Sequence, residues 1–388
     1  MRVYDVRHFL PNLDFESQCL NPGRPLSGSA RRAVDDLAPV MGLLASDGDS
    51  VQLNADRLPR DIPPALAHVN FVDAAPTDAT ELVPWGWSLL ACELAASLAP
   101  KQIVPASDVV AYVNGRNFHD LIDGVRPDVT GAALEPFGAF CQTPNEWRDA
   151  VSTAFQHTAT RIVTKALISN AGRNRLFSES AQCNSQQEGW LNQQFSSGGC
   201  YVEPWHDIQN EYSMHFDVNV SGDITFVGCT EQVVDNFGRP LGNIVSPHIT
   251  DKLHRRLSGA KVICRELHNL GYFGPVGIDG YTFQQNDELW LRPCSDINAR
   301  YSMGRLALAA HERLGSPDEA GCMLTLRQAT SFRDTYDRVQ TTCDSLGCST
   351  TRISPLAVGD RDIMTGAVYI SGSDKAIASA IARIHSMV

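Results

Sequence analysis

Apolar and polar positions change rhythm twice along the chain. Over the first hundred or so residues, short apolar runs at 2–6, 50–53 and 68–72 read as strands. Between the first two, Val34, Leu37, Val40, Met41 and Leu44 recur at helical spacing and predict a helix over 31–44. A second helix is predicted over 85–98, stopped before Pro100. Strands alternating with helices imply a sheet covered by helices. No GxGxxG opens either helix, so nothing supports a dinucleotide site, and this unit is expected to shape a substrate pocket or a domain interface.

From about residue 108 strands dominate. A helix is predicted over 145–158 behind Pro144, then a strand over 161–166 that carries Lys165, a flexible stretch at 169–173, and a polar turn at 196–199 before a strand at 200–202. Phe216, Val218 and Val220 alternate, Ser221-Gly222-Asp223 turns, and Ile224 and Phe226 alternate again, which is a hairpin pattern. Leu253, Leu257, Ala260, Ile263, Leu267 and Leu270 share one face of a helix over 251–270, with Gly271 as its stop. Strands at 276–283 and 288–292 follow, then a helix near 305–314. Beyond Gly315-Ser316-Pro317 the order strand, helix, strand, strand, helix predicts a small split sheet.

Composition narrows the function classes. The 388 residues hold 32 Lys+Arg against 44 Asp+Glu, a formal charge of −12, which argues against a general binder of nucleic acid or anionic membranes. No apolar run approaches the roughly 18–20 residues that span a bilayer. The opening residues lack the basic-then-apolar order of a secretory signal. Eleven cysteines, an odd number without a CxxC pair, read as reduced thiols in a cytoplasmic protein.

Phosphate-loop, HExxH and GxSxG signatures are missing. One constellation remains. Asp279 lies on a predicted strand within Gly277-Ile278-Asp279-Gly280-Tyr281, and a second strand leads into Asp296-Ile297-Asn298-Ala299-Arg300. Residues two apart on an extended segment share a face, so Asp296, Asn298 and Arg300 are expected together, with Asp279 reaching them from the neighbouring antiparallel strand. Two carboxylates and an amide oxygen form a hard-oxygen set suited to Mg²⁺. An arginine beside them suits charge developing on a transferring phosphoryl group.

These residues resemble the ATP-grasp superfamily of ligases, in which two α+β lobes hold ATP between them. The resemblance covers roughly residues 108–312. It rests on the order Asp279, Asp296, Asn298, Arg300, with one departure: Asp296 stands where the family usually has Glu, one methylene shorter. The resemblance implies that Arg116 and Lys165 reach the nucleotide phosphates and that the small-residue loop 169–173, with Ser169 and Gly172, closes over them. It also implies that the segment at Glu203 reads the adenine edge through its backbone and that Glu211 takes the ribose hydroxyls, with Trp205 flanking the base or packing. Asp279, Asp296 and Asn298 would hold Mg²⁺, and Arg300 and Lys165 would act on the reacting groups.

The expected fold is therefore α/β, an ATP-grasp fold with a small α/β domain before it and a small α+β domain after it. The expected boundaries are 1–107, 108–200, 201–314 and 315–388. The expected activity is ATP-dependent joining of a carboxylic acid to an amine through an acyl phosphate, the substrates being small molecules such as an amino acid or short peptide. A kinase acting on a hydroxyl and a non-catalytic ATP-binding regulator or scaffold are the alternatives, and a homodimer is left open. Other residues carry plainer readings. Cys264 and His268, the pair Cys343 and Cys348, and His206 and His215 are expected to pack or to face water.

Overall fold

Strands of three or four residues separated by helical crossovers pair in parallel, and the N-terminal unit is built this way. The structure, a computed structural model, describes residues 6–21, 23–118, 133–134, 138–156, 161–169, 174–235, 238–253, 256–285, 287–327 and 331–386. In the first sheet β1 (Arg7–Leu10), β2 (Ser50–Gln52), β3 (Asn70–Val72) and β4 (Glu81–Pro84) lie in the order β3-β2-β1-β4. Helices α1 (Phe15–Leu20) and α2 (Gly28–Leu37) follow β1. The strand expected at 2–6 falls almost wholly outside the described residues, and the first observed strand begins at Arg7. The helix expected to continue to residue 44 gives way to a 3-10 turn, Ala38–Leu44, because Pro39 cannot donate a backbone hydrogen bond.

A second, antiparallel sheet has the order β6-β9-β7-β8, from β6 (Ala139–Cys141), β7 (Ile162–Ala166), β8 (Arg175–Ser178) and β9 (Cys200–Pro204). Helices Pro144–Gln156 and Ser185–Ser196 close its core of Trp147, Val151, Ile162, Leu191 and Val202.

The third sheet has nine strands, in the order β16-β19-β15-β12-β11-β10-β13-β14-β5. Its members are β5 (Ala133–Leu134), β10 (Ile208–Val218), β11 (Ile224–Val234), β12 (Pro240–Val245), β13 (Gly274–Gln285), β14 (Glu288–Asn298), β15 (Ala320–Arg327), β16 (Ser349–Arg352) and β19 (Thr365–Gly372). The short pair β17 (Ala357–Val358) and β18 (Arg361–Asp362) stands apart. The split sheet expected after residue 315 is thus no sheet of its own. Strand β15 pairs along β12, from Gly242 opposite Leu324 to Val245 opposite Gly321, and covers an edge that would otherwise expose unpaired backbone groups. The segment keeps a core of its own, with Leu324, Val368 and Ile370 against Phe332, Val339 and Ile377.

The hairpin β10–β11 turns where expected: Gly222 takes φ +89°, and Asn219 Oδ1 accepts from the backbone N–H groups of Ser221 and Asp223 at 3.0 and 2.8 Å. The helix read as 251–270 is described as two, Pro247–Leu253 and Leu257–Asn269, with residues 254–255 outside the described set. Period-two alternation then sorts the two faces of the large sheet. Met214, Phe216, Val276, Ile278 and Ile297 enter the main core with Ile263, Leu267, Leu306 and Ala310 of the covering helices. Glu211, Ser213, Asp279, Asp296 and Asn298 line a cleft.

The N-terminal unit is seamed to the C-terminal segment by charge. Asp36, fully buried, pairs with Arg361 at 2.6 Å and accepts from the N–H groups of Met364 and Thr365 at 2.9 and 3.1 Å. Asp61 pairs with Arg352 and accepts from the N–H of Leu356 at 3.0 Å. Among the described residues no helix is long and apolar enough to cross a membrane.

Candidate active site

A cleft of about 790 Å³ opens where the small sheet, the large sheet and the helices after β1 meet. It gathers Arg116, Lys165, Ser169, Glu203, Trp205, Glu211, Asp279, Asp296, Asn298 and Arg300, which stand up to 184 residues apart in sequence (300 − 116). Gly172, with 170–173, lies outside the described residues.

Register brings the acids together. Asp279 on β13 pairs directly across from Asp296 on β14, and Gly277 lies opposite Asn298. Asn298 Nδ2 donates to Asp279 Oδ2 at 2.9 Å. Burial pushes the Asp279 carboxyl up to about 6; the facing Asp296 charge adds to the rise, while hydrogen bonds from Ser213 and Asn298 oppose it. Two carboxylates set against each other at the floor of a cleft are a feature that a divalent cation relieves, and with the Asn298 amide they supply oxygen donors. The set fits Mg²⁺. It contains only two acids, and among the described residues no group of three His, Cys, Asp or Glu side chains gathers as a metal site.

The bases are held by acids. Arg116, 5% exposed, pairs with Asp296 at 2.7 Å and donates to the Ala166 carbonyl at 2.7 Å and to Ser169 Oγ at 2.9 Å. Lys165 pairs with Glu203, whose other oxygen lies 2.8 Å from Arg292. Arg292, 1% exposed, also donates to Tyr201 Oη at 3.2 Å, so a buried triad joins the small sheet to the large one. The Glu203 side chain is thereby committed, leaving only its backbone for the adenine-reading role that the resemblance implies. The Glu211 carboxyl is pushed up to about 7 by burial and then by Asp279, against the lowering effect of Lys165 and Arg175.

Arg300 departs from its expected place. Strand β14 ends at Asn298, because Ala299 N bonds Asn114 Oδ1 at 2.9 Å and Tyr301 N bonds the Trp85 carbonyl at 2.9 Å, drawing the chain toward the N-terminal unit. The guanidinium pairs with Glu16 on α1 at 2.5 Å and lies 5.9 Å from the Trp85 ring centroid. It still lines the cleft. Trp205 packs edge-on against Phe177 at 4.9 Å with Arg175 over its ring, and borders the cleft with what remains. His206 stacks on Phe283 at 3.7 Å between centroids. His215 is buried, and burial pushes its imidazole down to about 3; its Nε2 lies 2.5 Å from where a Cβ on Gly304 would stand, so only glycine fits there. His268 faces the Val220 carbonyl, Cys264 is in the core, and all eleven cysteines are free thiols. His206 also lines the cleft.

Arg292, Ser213, Glu16 and Trp85 were not singled out in the sequence. Arg292 left a trace, a charge directly after Trp290 and Leu291 in a strand-like run. Glu16 and Trp85 left none, since only the approach of the N-terminal unit brings them to the cleft.

A small antiparallel sheet and the polar face of a larger one, closing on a basic and acidic cleft, with a parallel α/β unit before them, make up the ATP-grasp fold. The chain is similar over 98% of its length to an ADP complex of an N5-carboxyaminoimidazole ribonucleotide synthetase, covering 96% of that chain at a TM-score of 0.58 and 12% identity. The synthetase of Aspergillus clavatus, solved with ADP and 5-aminoimidazole ribonucleotide, matches 98% of this chain and 99% of its own at 0.55 and 12%. A biotin carboxylase of Campylobacter jejuni in an ATP-analogue complex matches 96% and 89% at 0.55 and 12%. The resemblance read in the sequence holds for the fold. No protein-family model and no curated protein sequence matches the chain.

Proposed function

We propose that the protein is an ATP-dependent ligase that joins a carboxylic acid to an amine, with release of ADP and phosphate. One observation carries the reading: residues that the family resemblance implies meet phosphate, metal, ribose and acyl phosphate line a single cleft in a chain of this fold. A carboxylate is a poor electrophile, so its oxygen first takes the γ-phosphoryl group of ATP. The amine nitrogen then attacks the carbonyl carbon, phosphate leaves with the bonding electrons, and the amine loses its proton. Arg116, Lys165 and Arg300 balance phosphate charge and hold the reactants in line, the main contribution a protein makes to such a transfer. Asp279, Asp296 and Asn298 would hold Mg²⁺, which when bound neutralises charge between phosphate oxygens. Glu203, through its backbone, and Glu211 would take the adenosine, with Trp205 at the edge and Ser169 and Gly172 over the phosphates. In this reading Arg116 exchanges Asp296 for phosphate on nucleotide binding. The same reading divides the chain at 107/108, 200/201 and 314/315, places it in the cytoplasm and takes an amino acid or short peptide as one substrate.

Hydroxylamine tests the route. Supplied with ATP, Mg²⁺ and a panel of amino acids, short peptides and other small acids, the enzyme should form a hydroxamate together with ADP. A stable phosphate ester in place of the hydroxamate would make it a kinase. ATP binding without any ADP release would establish the second reading, a non-catalytic binder.

A further inference from the structure

The cleft has an arm that none of the roles above uses. It runs along the polar face of the large sheet, away from the acids that fit Mg²⁺, across β11, β12 and β15. Gln232 on β11 lies opposite Asn243 on β12, and Asn243 lies opposite Met323 on β15. Thr325 and Arg327 follow Met323 in steps of two residues and so share its face. Gln232, Asn243, Thr325 and Arg327 all line the cleft, and Arg327 is the one charged side chain that these three strands give to it among the described residues.

Asn243 is fixed as a donor. It is 6% exposed, yet it lines the cleft. Thr230 Oγ donates to Asn243 Oδ1 at 3.2 Å, and His215 Nε2 lies 3.4 Å behind Thr230 Oγ. The helix Met303–Leu314 seals this relay at Gly304, where a Cβ would stand 2.9 Å from Thr230 Oγ. Oδ1 is thereby taken, and among the described residues nothing accepts from Nδ2. An amide held in this way meets an acceptor without further loss of rotamer freedom.

We infer that this arm is the subsite for a second carboxylate on the acid substrate, so that the protein takes an elongated dicarboxylic acid. Asn243 Nδ2 and the Thr325 hydroxyl donate to the remote carboxylate, and the Arg327 guanidinium supplies the opposite charge. Among the described lining residues of β11, β12 and β15 there is no acid to repel it. Asp279 lies on β13, three strand spacings of about 4.8 Å from β12, so the two ends of the substrate stand roughly 10–14 Å apart. Succinate is too short for that span, whereas extended sebacate matches it. The inference deepens the ligase reading and rests on it for the reacting end of the acid; binding of the remote end can be measured without turnover.

Calorimetry on the full chain with Mg²⁺ and a non-hydrolysable ATP analogue, titrated with sebacate, monomethyl sebacate and succinate, decides it. Sebacate should saturate, with the monoester and succinate each about tenfold weaker or more. Arg327→Gln should weaken sebacate about tenfold and leave the monoester, the ATP analogue and the melting temperature near their wild-type values. Asn243→Asp, which keeps the shape but replaces the donor by an anion, should weaken sebacate by about tenfold or more. Equal or tighter binding of the monoester, sebacate affinity unchanged in Arg327→Gln, or no saturation by sebacate overturns the subsite. Hydroxamate formation from a monocarboxylic acid alongside absent sebacate binding would discard the subsite and keep the ligase. Sebacate binding that tracks Arg327 in a protein that never releases ADP would keep the subsite and discard the ligase.

Discussion

Asp36 and Glu16 belong to the same small unit, both are buried, and each faces an arginine from a distant part of the chain, yet their surroundings differ in kind. Asp36 has three donors converging on it, one guanidinium and two backbone N–H groups, all from the C-terminal segment. Glu16 has the Arg300 guanidinium at close range and no aligned hydrogen bond. At the seam both oxygens of Asp36 are answered, while Arg361 Nη2 has no aligned hydrogen bond. In the cleft, Arg116 pairs with Asp296 and Lys165 with Glu203, Asp296 also accepts from the Ile297 N–H at 3.2 Å, and two carboxyls are pushed upward. A buried ion pair tied to backbone donors holds units together. One that lines a cleft, as Arg116–Asp296 and Lys165–Glu203 do, is within reach of a ligand.

Substitutions can break or sharpen this contrast. Asp36→Ala should have the largest effect, a loss of about 3–5 kcal/mol of stability, because it strands the Arg361 charge at the seam. Urea titration reads it, and Glu16→Gln measured beside it should lose less, about 1–3 kcal/mol, because it strands the Arg300 charge but keeps an amide oxygen facing it; equal losses would erase the distinction between seam and cleft. Asn298→Ala should slow hydroxamate formation about 100-fold, since a displacement of about 1 Å at the reacting phosphate is worth that much, with little change in melting temperature.

Lys165→Ala comes next. It should weaken ATP binding by about 2 kcal/mol through lost charge-assisted hydrogen bonds, measured by calorimetry. Its stability cost should stay near 1 kcal/mol, because Glu203 retains Arg292. Unchanged ATP affinity would return Lys165 to a purely structural pair.

The smallest effect concerns pH. Glu211 is raised from 4.5 to about 7, so the folded state binds its proton more tightly than the unfolded chain does. Its stabilising contribution is full below about 4.5 and is lost as pH rises through 7. Glu211→Gln removes that loss, and its stability relative to the wild type should climb across this window by on the order of 1 kcal/mol after solvent screening. A difference that stays flat with pH would remove Glu211 from the coupled acids. His215 on the same strand pulls the other way: with its imidazole pushed down to about 3, stability falls as pH drops below 6.5 toward that value.

Local pattern determined a good deal by itself. Alternation at Phe216, Val218 and Ile224 with the Ser221-Gly222-Asp223 turn specifies the β10–β11 hairpin, since a period of two has a single buried face and the turn needs a residue that tolerates positive φ. The spacing of Asp296 and Asn298 places both on one side of β14 for the same reason, and the resemblance to the ATP-grasp family added Arg116, Lys165 and Glu203 to the same site. What it did not carry was everything that depends on meeting across the fold. That β15 would pair with β12 instead of forming a sheet of its own is decided by which strand edge lies open nearby. That Arg300 leaves the strand face for Glu16 is decided by Asn114 and the Trp85 carbonyl, which pull on two backbone N–H groups. Periodicity is a property of neighbours in sequence and is written there. The partner of a charge is a property of neighbours in space, and for Glu16, Arg292 and Arg300 only the packed chain supplies them.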